Sequence, residues 1–101
     1  MGKRKINWTH RAKIKLFQIL EFYAERNKSK VYSLKLNKEI KKQLYYIQKQ
    51  PEIGRKSEIE SIRGLAFENF ILFYEITPTQ IVVHTIWDCS QNLNDLNFIE
   101  L

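Results

Sequence analysis

The spacing of apolar and polar residues divides the first part of the chain into a strand and a helix. From Lys3 to Trp8, charged or polar residues alternate with Arg4, Ile6 and Trp8, which predicts a short β-strand. The Thr9 hydroxyl can then accept a hydrogen bond from a free backbone N–H at the start of a helix. The helix itself is predicted from apolar residues three or four positions apart, at Ala12, Leu16, Ile19 and Tyr23. Asn27 is predicted to end this helix in a left-handed conformation.

A second amphipathic helix is predicted from about Ser29 to about Lys49. Lysines cover its polar side, and its apolar side carries Tyr32, Leu36, Ile40, Leu44 and Ile47. Pro51 ends the helix because proline disfavours helical geometry in the residue before it. Since the connection between the helices is short, they are expected to form an antiparallel helical hairpin whose apolar faces pack on another layer.

The second half of the chain predicts that other layer as a β-sheet. Residues 51–57 are predicted to be a loop and Glu60–Leu65 a strand. Phe67–Ile76 is nearly continuous in apolar residues, as expected of a central strand, and Ile81–Trp87 should form a hairpin with it. Residues 88–101 are expected to form a short helix or an ordered tail. The order β-α-α-β-β-β predicts an α+β two-layer fold, with an antiparallel helical hairpin packed on an antiparallel sheet.

Composition limits the classes of protein that this pattern can represent. With 101 residues, the chain 1–101 is expected to be a single domain with one modest core. No apolar run approaches the length of a membrane span, and no apolar segment follows the N-terminal charges as in a signal peptide. Cys89 is the only cysteine, so neither a disulfide framework nor a thiolate metal site is expected, and a reducing cytoplasm is the natural setting.

The formal net charge of +6 is spread unevenly along the chain. Residues 1–50 carry 14 Lys/Arg against 3 Asp/Glu, a balance of +11, whereas residues 51–101 carry 3 against 8, a balance of −5. This asymmetry indicates a polyanionic or acidic partner for the first half. A pair of solvated lysine-rich helices is an equally good explanation.

Several short segments, taken together, resemble a known family over nearly the whole chain. They are Trp8-Thr9 with Ala12, Tyr23-Ala24-Glu25-Arg26-Asn27, Pro51-Glu52-Ile53-Gly54-Arg55, Ile62-Arg63-Gly64-Leu65, Phe73-Tyr74-Glu75-Ile76, and Ile86-Trp87-Asp88 with Gln91-Asn92. In this order and spacing they resemble the RelE/ParE superfamily of toxins from type II toxin–antitoxin modules. The resemblance implies a single toxin domain over residues 1–101.

The superfamily contains two activities. RelE-like members are ribosome-dependent endoribonucleases that cut mRNA, whereas ParE-like members inhibit DNA gyrase. Both are neutralised by an antitoxin whose C-terminal segment wraps around the toxin. The resemblance therefore implies a cytoplasmic, growth-inhibiting toxin of a plasmid-stabilisation module that needs no cofactor. Its implied partner is a cognate antitoxin, through which alone it would reach operator DNA.

Departures from the nuclease pattern make the chain more ParE-like than RelE-like. Nuclease members usually carry an arginine three residues before the tyrosine that corresponds to Tyr74, and here that position is Ile71. Near the end, Ser90 and Leu93 stand where the family commonly has an arginine and a proline. The preferred interpretation is an inhibitor that binds gyrase without catalysis. The alternatives are a RelE-type mRNA nuclease and an inactive toxin retained for complex formation and autoregulation.

Candidate site residues follow from these alternatives. Under the nuclease alternative, Arg55, Lys56 and Arg63 are the cations that could stabilise a phosphate, but the sequence shows no well-placed general base. Under the binding interpretation, the resemblance implies contacts to target or antitoxin at Arg55, Arg63, Trp87, Asp88, Gln91 and Asn92. No spacing of residues resembles a set of metal ligands.

Each candidate also has a structural interpretation. Arg63 could instead form an ion pair with Glu60, Glu75 or Asp88. His84 is expected to be a packed residue of the core or of a sheet face, and Trp87 a cap on the core. Tyr45 and Tyr46 lie on a basic helix and could stack on bases, although Tyr45 at its helical position is expected to border the core.

Overall fold

Two helices pack on a five-stranded sheet in the computed structural model, which describes residues 3–90. The elements are β1 (Lys5–Trp8), α1 (His10–Asn27), α2 (Val31–Lys49), a 3-10 turn (Pro51–Ile53), β2 (Arg55–Lys56), β3 (Ile62–Phe67), β4 (Phe70–Ile76) and β5 (Gln80–Asp88). The predicted two-layer α+β fold and its element order are confirmed, with β2 as one additional short strand. Neither helix in this part of the chain has the length and apolar character that crossing a membrane requires.

The helical hairpin forms where the sequence predicts it. The Thr9 hydroxyl accepts a hydrogen bond from the Ala12 N–H at 3.0 Å, which caps α1. The predicted C-cap is wrong by one residue, because Asn27 is still helical and Lys28 takes the left-handed conformation with φ 53°. The Ser29 N–H then bonds to the Ala24 carbonyl at 3.1 Å, which turns the chain into α2.

One core fills the space between the helices and the sheet. Its buried members are Ala12 and Ile19 from α1; Leu36, Ile40, Leu44 and Ile47 from α2; and Phe67, Phe70, Leu72, Tyr74, Ile81, Val83 and Ile86 from the sheet. The apolar face predicted for α2 is therefore the buried one. The Ser33 hydroxyl donates to the Leu20 carbonyl at 2.6 Å and joins the two helices.

The sheet is mixed, which corrects the antiparallel sheet expected from the sequence. The strands lie in the order β1-β5-β4-β3-β2, and neighbours from β2 to β5 are antiparallel. β1 pairs with β5 in parallel, with Ile6 opposite Ile81 and Trp8 opposite Val83. Both helices and three strands connect these two strands, so the connection is long enough for a parallel pair. The alternation in residues 3–8 predicts a strand but not its direction.

Two further predictions about the sheet are wrong. Phe67–Ile76 is not one strand, because the chain turns at Glu68-Asn69 and Phe67 pairs with Phe70. Apolar residues on both sides of this two-residue turn hide it in the sequence pattern. Arg55–Lys56, predicted as loop, pairs with β3 instead. The expectation for the chain end lies mostly outside the described residues.

A second apolar cluster lies on the sheet face that points away from the helices. Ile62, Phe73 and Trp87 are buried there, with Ile59 and Ile71 packed against them. These residues alternate along β3, β4 and β5 with residues of the main core, as side chains on the two faces of a strand must. We refer to this side of the sheet, from Arg55 across Ile71 and Phe73 to Trp87, as the outer face.

Candidate functional site

Arg63 and Tyr74 hold the segment between α2 and β2 in place. The Arg63 Nη1 donates to the carbonyls of Gly54 at 2.8 Å and Glu52 at 3.4 Å. The Tyr74 hydroxyl donates to the Pro51 carbonyl at 2.6 Å and accepts from the Gly54 N–H at 2.9 Å. A Cβ at Gly54 would lie 2.7 Å from that hydroxyl oxygen, so the close approach requires glycine.

The environment of Arg63 overturns its predicted ion pairs. Within residues 3–90, no carboxylate oxygen lies within 4 Å of its guanidinium, so neither Glu60, Glu75 nor Asp88 is its partner. Its charge is directed at backbone carbonyls instead. Arg63 therefore holds residues 51–54, which precede β2, through two backbone hydrogen bonds.

Arg55 and Lys56 are the two cations at the β2 edge of the sheet, which is the rim of the outer face. Both are exposed on β2, where Arg55 lies opposite Gly64 and Lys56 opposite Arg63. They border an open groove of about 500 Å³ that is also lined by Ile53, Ser57, Gly64, Leu65, Ala66, Ile71 and Phe73. The groove thus combines an apolar floor with a rim of two cations.

Ile71 lies in the apolar part of this face. In the sheet it pairs with Ala66 on one side and Trp87 on the other. Its Cγ2 would be 3.1 Å from a Cβ placed on Gly64, so the glycine leaves room for it at the groove floor. At the position where the resemblance expects an arginine in nucleases, Ile71 is therefore flanked in the sheet by two uncharged residues.

Trp87 is a packed residue at the far side of the outer face. Only 5% of it is exposed, as expected for a residue that caps a core. The Lys15 ammonium lies 5.6 Å from its ring centroid, within the range of a cation–π interaction. The indole N–H has no hydrogen-bond acceptor in the part of the chain that the structure describes.

Asp88 lies on the opposite, helix-facing side of the sheet, where its carboxylate is the centre of a hydrogen-bond network that we call the Tyr23–Asp88 lock. The Tyr23 hydroxyl donates to its Oδ2 at 2.5 Å, and Asn69 Nδ2 donates to its Oδ1 at 3.2 Å. The Ser90 N–H and hydroxyl donate to the same Oδ1 at 2.9 and 2.7 Å. The carboxylate thereby ties α1, the β3–β4 turn and the end of β5 together, and it is almost fully buried.

This network shifts the pKa values of both partners. Burial by itself raises the pKa of Asp88, but the hydrogen bonds from Tyr23 and Ser90 outweigh it and lower the pKa below its ordinary value. Burial, and then the hydrogen bond and charge of Asp88, raise the pKa of Tyr23 to about 12. Asp88 is therefore a charged structural residue rather than a free contact for a partner.

One pair on the outer face was missed by sequence reasoning. The His84 Nε2 lies 2.9 Å from the Glu75 Oε1, and both side chains are partly accessible. The register between β4 and β5 shifts here, so His84 has no directly opposite residue in β4. A β-bulge of this kind re-aims a side chain, and no residue pattern in the chain signals it.

The remaining candidates for chemistry give no further site. Cys89 is exposed, and burial together with the Asp88 charge raises the pKa of its thiol, so the reactive thiolate is disfavoured. Within residues 3–90, no group of three or more His, Cys, Asp or Glu side chains could hold a metal ion. His10 is exposed at the start of α1.

The predicted site residues thus divide into separate groups. Arg55 lies on the outer face with Trp87, and Lys56 borders the groove from the next position of β2. Arg63 donates to the backbone of the segment before β2. Asp88 lies among residues of the helix-facing side. Gln91 and Asn92 lie outside the described residues. The outer face therefore combines a basic rim with an apolar groove.

Known proteins resemble the chain in sequence and in fold. The family model of the ParE toxin of type II toxin-antitoxin system, parDE, matches residues 6–93. A chain from the structure of a chromosomal ParDE TA system from P. aeruginosa superposes with a TM-score of 0.74 and 23% identity. The superposition covers 85% of this chain and 96% of that chain, and it is evidence for a common fold. No curated protein sequence matches the chain significantly.

Proposed function

The chain belongs to the ParE toxin family of type II toxin–antitoxin systems, and from this premise we propose that it inhibits growth by binding and obstructing DNA gyrase, without catalysis of its own. The observation that supports this proposal most is that Ile71, at the position of the nuclease arginine, is itself uncharged and is flanked in the sheet by the uncharged Ala66 and Trp87. Cleavage of RNA without a metal requires a preorganised cation at the scissile phosphate. Ile71, Phe73 and Trp87 offer none, and the Arg63 guanidinium is engaged by the Gly54 carbonyl.

The outer face has the properties of a protein-binding surface. Its groove has an apolar floor at Ile71 and Phe73, and the exposed Arg55 and Lys56 lie at its rim. Desolvated apolar pockets supply most of the affinity at protein interfaces, while rim charges mainly direct association. Arg55 is the rim residue whose charge we expect to matter most, because its neighbour Gly64 leaves it unobstructed.

A pair of assays tests the proposal. The purified protein is incubated with gyrase and relaxed plasmid, and separately with ribosomes programmed with mRNA. We expect loss of supercoiling and intact mRNA. Arg55→Glu should weaken inhibition roughly tenfold, the effect of about 1.4 kcal/mol, whereas Arg11→Glu, with the same charge change on α1, should not.

Each other outcome of these assays contradicts the proposal. Codon-specific mRNA cleavage with normal supercoiling would restore the nuclease alternative. Inactivity of the wild type in both assays would favour the inactive toxin, retained for complex formation and autoregulation. Equal losses in Arg55→Glu and Arg11→Glu would mean that inhibition follows net charge rather than the outer face.

The His84–Glu75 pair is the one observation that favours the nuclease alternative. An imidazole hydrogen-bonded to a carboxylate at 2.9 Å is the usual arrangement of a general base and the group that orients it. If the protein cleaves mRNA, His84→Gln should abolish cleavage while leaving the fold intact. Retained cleavage in this variant would remove the pair from consideration.

A cognate antitoxin is the second partner that we propose. Large apolar side chains are exposed on the helical layer, namely Ile14, Phe17, Phe22, Val31 and Leu34, with exposed fractions from 45% to 72%. Exposed apolar groups of this number are typical of a surface that another chain covers. We propose that an acidic antitoxin segment lies across these helices and the sheet edge, and that the antitoxin contributes the operator-specific DNA contacts of the module.

A further inference from the structure

A continuous row of lysines runs along one exposed side of α2. Lys35, Lys38, Lys42 and Lys49 follow one another at spacings of three, four and seven residues, which places them on one side of the helix. All four are exposed, and they lie opposite the buried side of α2. From Lys35 to Lys49 the row extends over about 21 Å at the helical rise of 1.5 Å per residue. We call it the lysine stripe.

Two exposed tyrosines, Tyr45 and Tyr46, lie between Lys42 and Lys49 of the lysine stripe. The Lys42 ammonium lies 6.0 Å from the ring centroid of Tyr46, and Lys49 lies 4.9 Å from that of Tyr45. Lys3, which precedes β1, lies 4.4 Å from Tyr45 as well. The expectation that Tyr45 borders the core is therefore wrong, since 42% of it is exposed. Its ring instead has the ammonium groups of Lys3 and Lys49 over it, at the end of the stripe.

The charge of the lysine stripe is not balanced by neighbouring acids. In the described part of the chain, no lysine or arginine nitrogen lies within 4 Å of an Asp or Glu oxygen. Glu39 is the only acid in α2, and its carboxylate accepts a hydrogen bond from Gln43 at 2.8 Å. A hydrogen bond from Lys49, and then the charges of Lys49 and Lys3, lower the pKa of Tyr45, consistent with a concentrated positive potential.

Repulsion among the lysines on one side of α2 lowers the stability of the helix. Like charges four residues apart, such as Lys38 and Lys42, destabilise a helix by about 0.2–0.5 kcal/mol. A helix face that only contacts water usually intersperses both signs. A row of four exposed lysines, with Glu39 as the single acid beside it in α2, is instead the arrangement that neutralises a polyanion.

We propose that the lysine stripe binds the phosphate backbone of duplex DNA without sequence preference. Duplex DNA carries one negative charge per about 1.7 Å of its axis, so a straight row of about 21 Å faces many phosphates at once. Ammonium and phenol groups are both phosphate ligands. An acidic protein segment would be expected to add apolar anchors, whereas each tyrosine ring in the stripe has a lysine ammonium within about 6 Å of its centroid.

This contact would give the protein a DNA-binding surface of its own. The sequence predicts access to operator DNA only through the antitoxin, and the lysine stripe adds a second, non-specific route. The inference does not depend on gyrase as the target, because the isolated protein suffices to test it.

The test is fluorescence anisotropy of a labelled duplex of random sequence, titrated with the purified protein at salt concentrations from 50 to 200 mM. Proteins with many phosphate contacts lose about 10³–10⁵ in affinity over this range. We expect a Kd of about 10⁻⁶–10⁻⁴ M and a slope of log K against log salt of about −4, as four to five phosphate contacts give. In Lys42→Gln/Lys49→Gln the slope should become shallower by about 1.8.

A matched variant distinguishes the stripe from net charge. Arg11→Gln/Lys13→Gln removes two exposed cations from α1 and should retain the wild-type slope. Thermal unfolding of both double variants establishes that each is folded. Equal slopes in the two variants, or no binding by wild type at 50 mM salt and about 100 μM protein, would overturn the proposal. Binding of polyglutamate of matched charge as tightly as DNA, through the same lysines, would also overturn it in favour of an acidic protein partner.

Discussion

At the scale of single residues, Arg63 and Arg55 illustrate how two arginines near each other in the sheet can have different roles. Arg63 donates to two backbone carbonyls of the Pro51–Gly54 segment, whereas Arg55 is exposed at the groove rim. We expect Arg63→Ala to lower the free energy of unfolding by about 1–3 kcal/mol, because it leaves the Gly54 carbonyl without its donor. Arg55→Ala should change it by no more than about 0.5 kcal/mol.

Urea denaturation of both variants measures this difference. Since Arg63 is expected to act through the fold, a loss of activity in Arg63→Ala has to be compared with its loss of stability. Equal stabilities of the two variants would mean that the Pro51–Gly54 segment holds its shape without Arg63.

The Tyr23–Asp88 lock predicts a pH dependence of stability at both ends of the scale. Folding lowers the pKa of Asp88 from 3.8, so its contribution to stability is present above this pH and is lost as the pH falls through the lower folded-state value. Folding raises the pKa of Tyr23 from 10.0 to about 12, so its contribution is present below pH 10 and is lost as the pH rises to about 12.

Tyr23→Phe is the variant that tests this lock. It should lower the free energy of unfolding near neutral pH by about 1.5–3 kcal/mol, because Asp88 loses a donor to a charged acceptor. Its stability should also fall less steeply than that of wild type between pH 10 and 12, since the titrating hydroxyl is absent. Chemical denaturation at a series of pH values measures both effects. Parallel pH curves for the two proteins would contradict the assignment.

The candidate site could be predicted only in part from the sequence, for reasons visible in individual residues. The prediction that Trp87 is a packed residue is confirmed, whereas the roles predicted for Arg55 and Lys56 stay predictions. The hydrogen-bond acceptors of Arg63 could not be predicted, because they are backbone carbonyls, which every residue has whatever its side chain. Asp88 was assigned to binding by resemblance, and only its four hydrogen bonds place it in a structural lock.

At the scale of elements, α2 is the best predicted part of the fold. Leu44 is 5% exposed and packs in the core, whereas Lys42 is on the opposite side. Leu44→Ala should therefore cost about 2–5 kcal/mol of the free energy of unfolding. Lys42→Ala should cost no more than about 0.5 kcal/mol. Chemical denaturation compares them, and equal losses would mean that the helix face is rotated.

The end of α1 offers a stabilising substitution. Lys28 has φ 53°, in a conformation that costs a non-glycine residue about 1–2 kcal/mol. Lys28→Gly should raise the free energy of unfolding by roughly 0.5–1 kcal/mol, because glycine adopts this conformation without strain. Lys38→Gly, the same substitution in the middle of α2, should lower it by about 1 kcal/mol. Thermal unfolding measures both, and a loss in Lys28→Gly would contradict the left-handed cap.

Strands were predicted less well than helices because their pattern carries less information. A period of two residues gives the faces of β1 but neither its direction nor its neighbour, and β1 proved parallel to β5. The turn at Glu68-Asn69 contains no glycine or proline and interrupts an apolar run, so the pattern predicts a single strand over Phe67–Ile76. The strand Arg55–Lys56 has only two residues and no pattern to detect.

At the scale of the whole molecule, the helical layer presents two distinct surfaces, one basic and one apolar. The helical layer carries both the lysine stripe and the exposed apolar residues, including Phe17 and Leu34. The proposed antitoxin contact and the proposed DNA contact therefore lie on the same layer but use different chemistry. Apolar contacts mainly set how slowly a complex dissociates, and charges mainly set how fast it forms.

This division predicts how the antitoxin complex should respond to substitutions. Co-expression with a cognate acidic antitoxin should give one size-exclusion peak at micromolar concentration, and two separate peaks would contradict the complex. Phe17→Ser should speed its dissociation roughly thirtyfold, the effect of losing a hot spot of about 2 kcal/mol, because Phe17 is 68% exposed in the free chain. The same substitution should leave the stability of the free protein within about 0.5 kcal/mol of wild type.

Lys42→Gln/Lys49→Gln should instead slow the association of the antitoxin at low salt, with little change in its dissociation rate. Biosensor kinetics at two salt concentrations separate these effects, and an unchanged dissociation rate in Phe17→Ser would place the antitoxin on another surface.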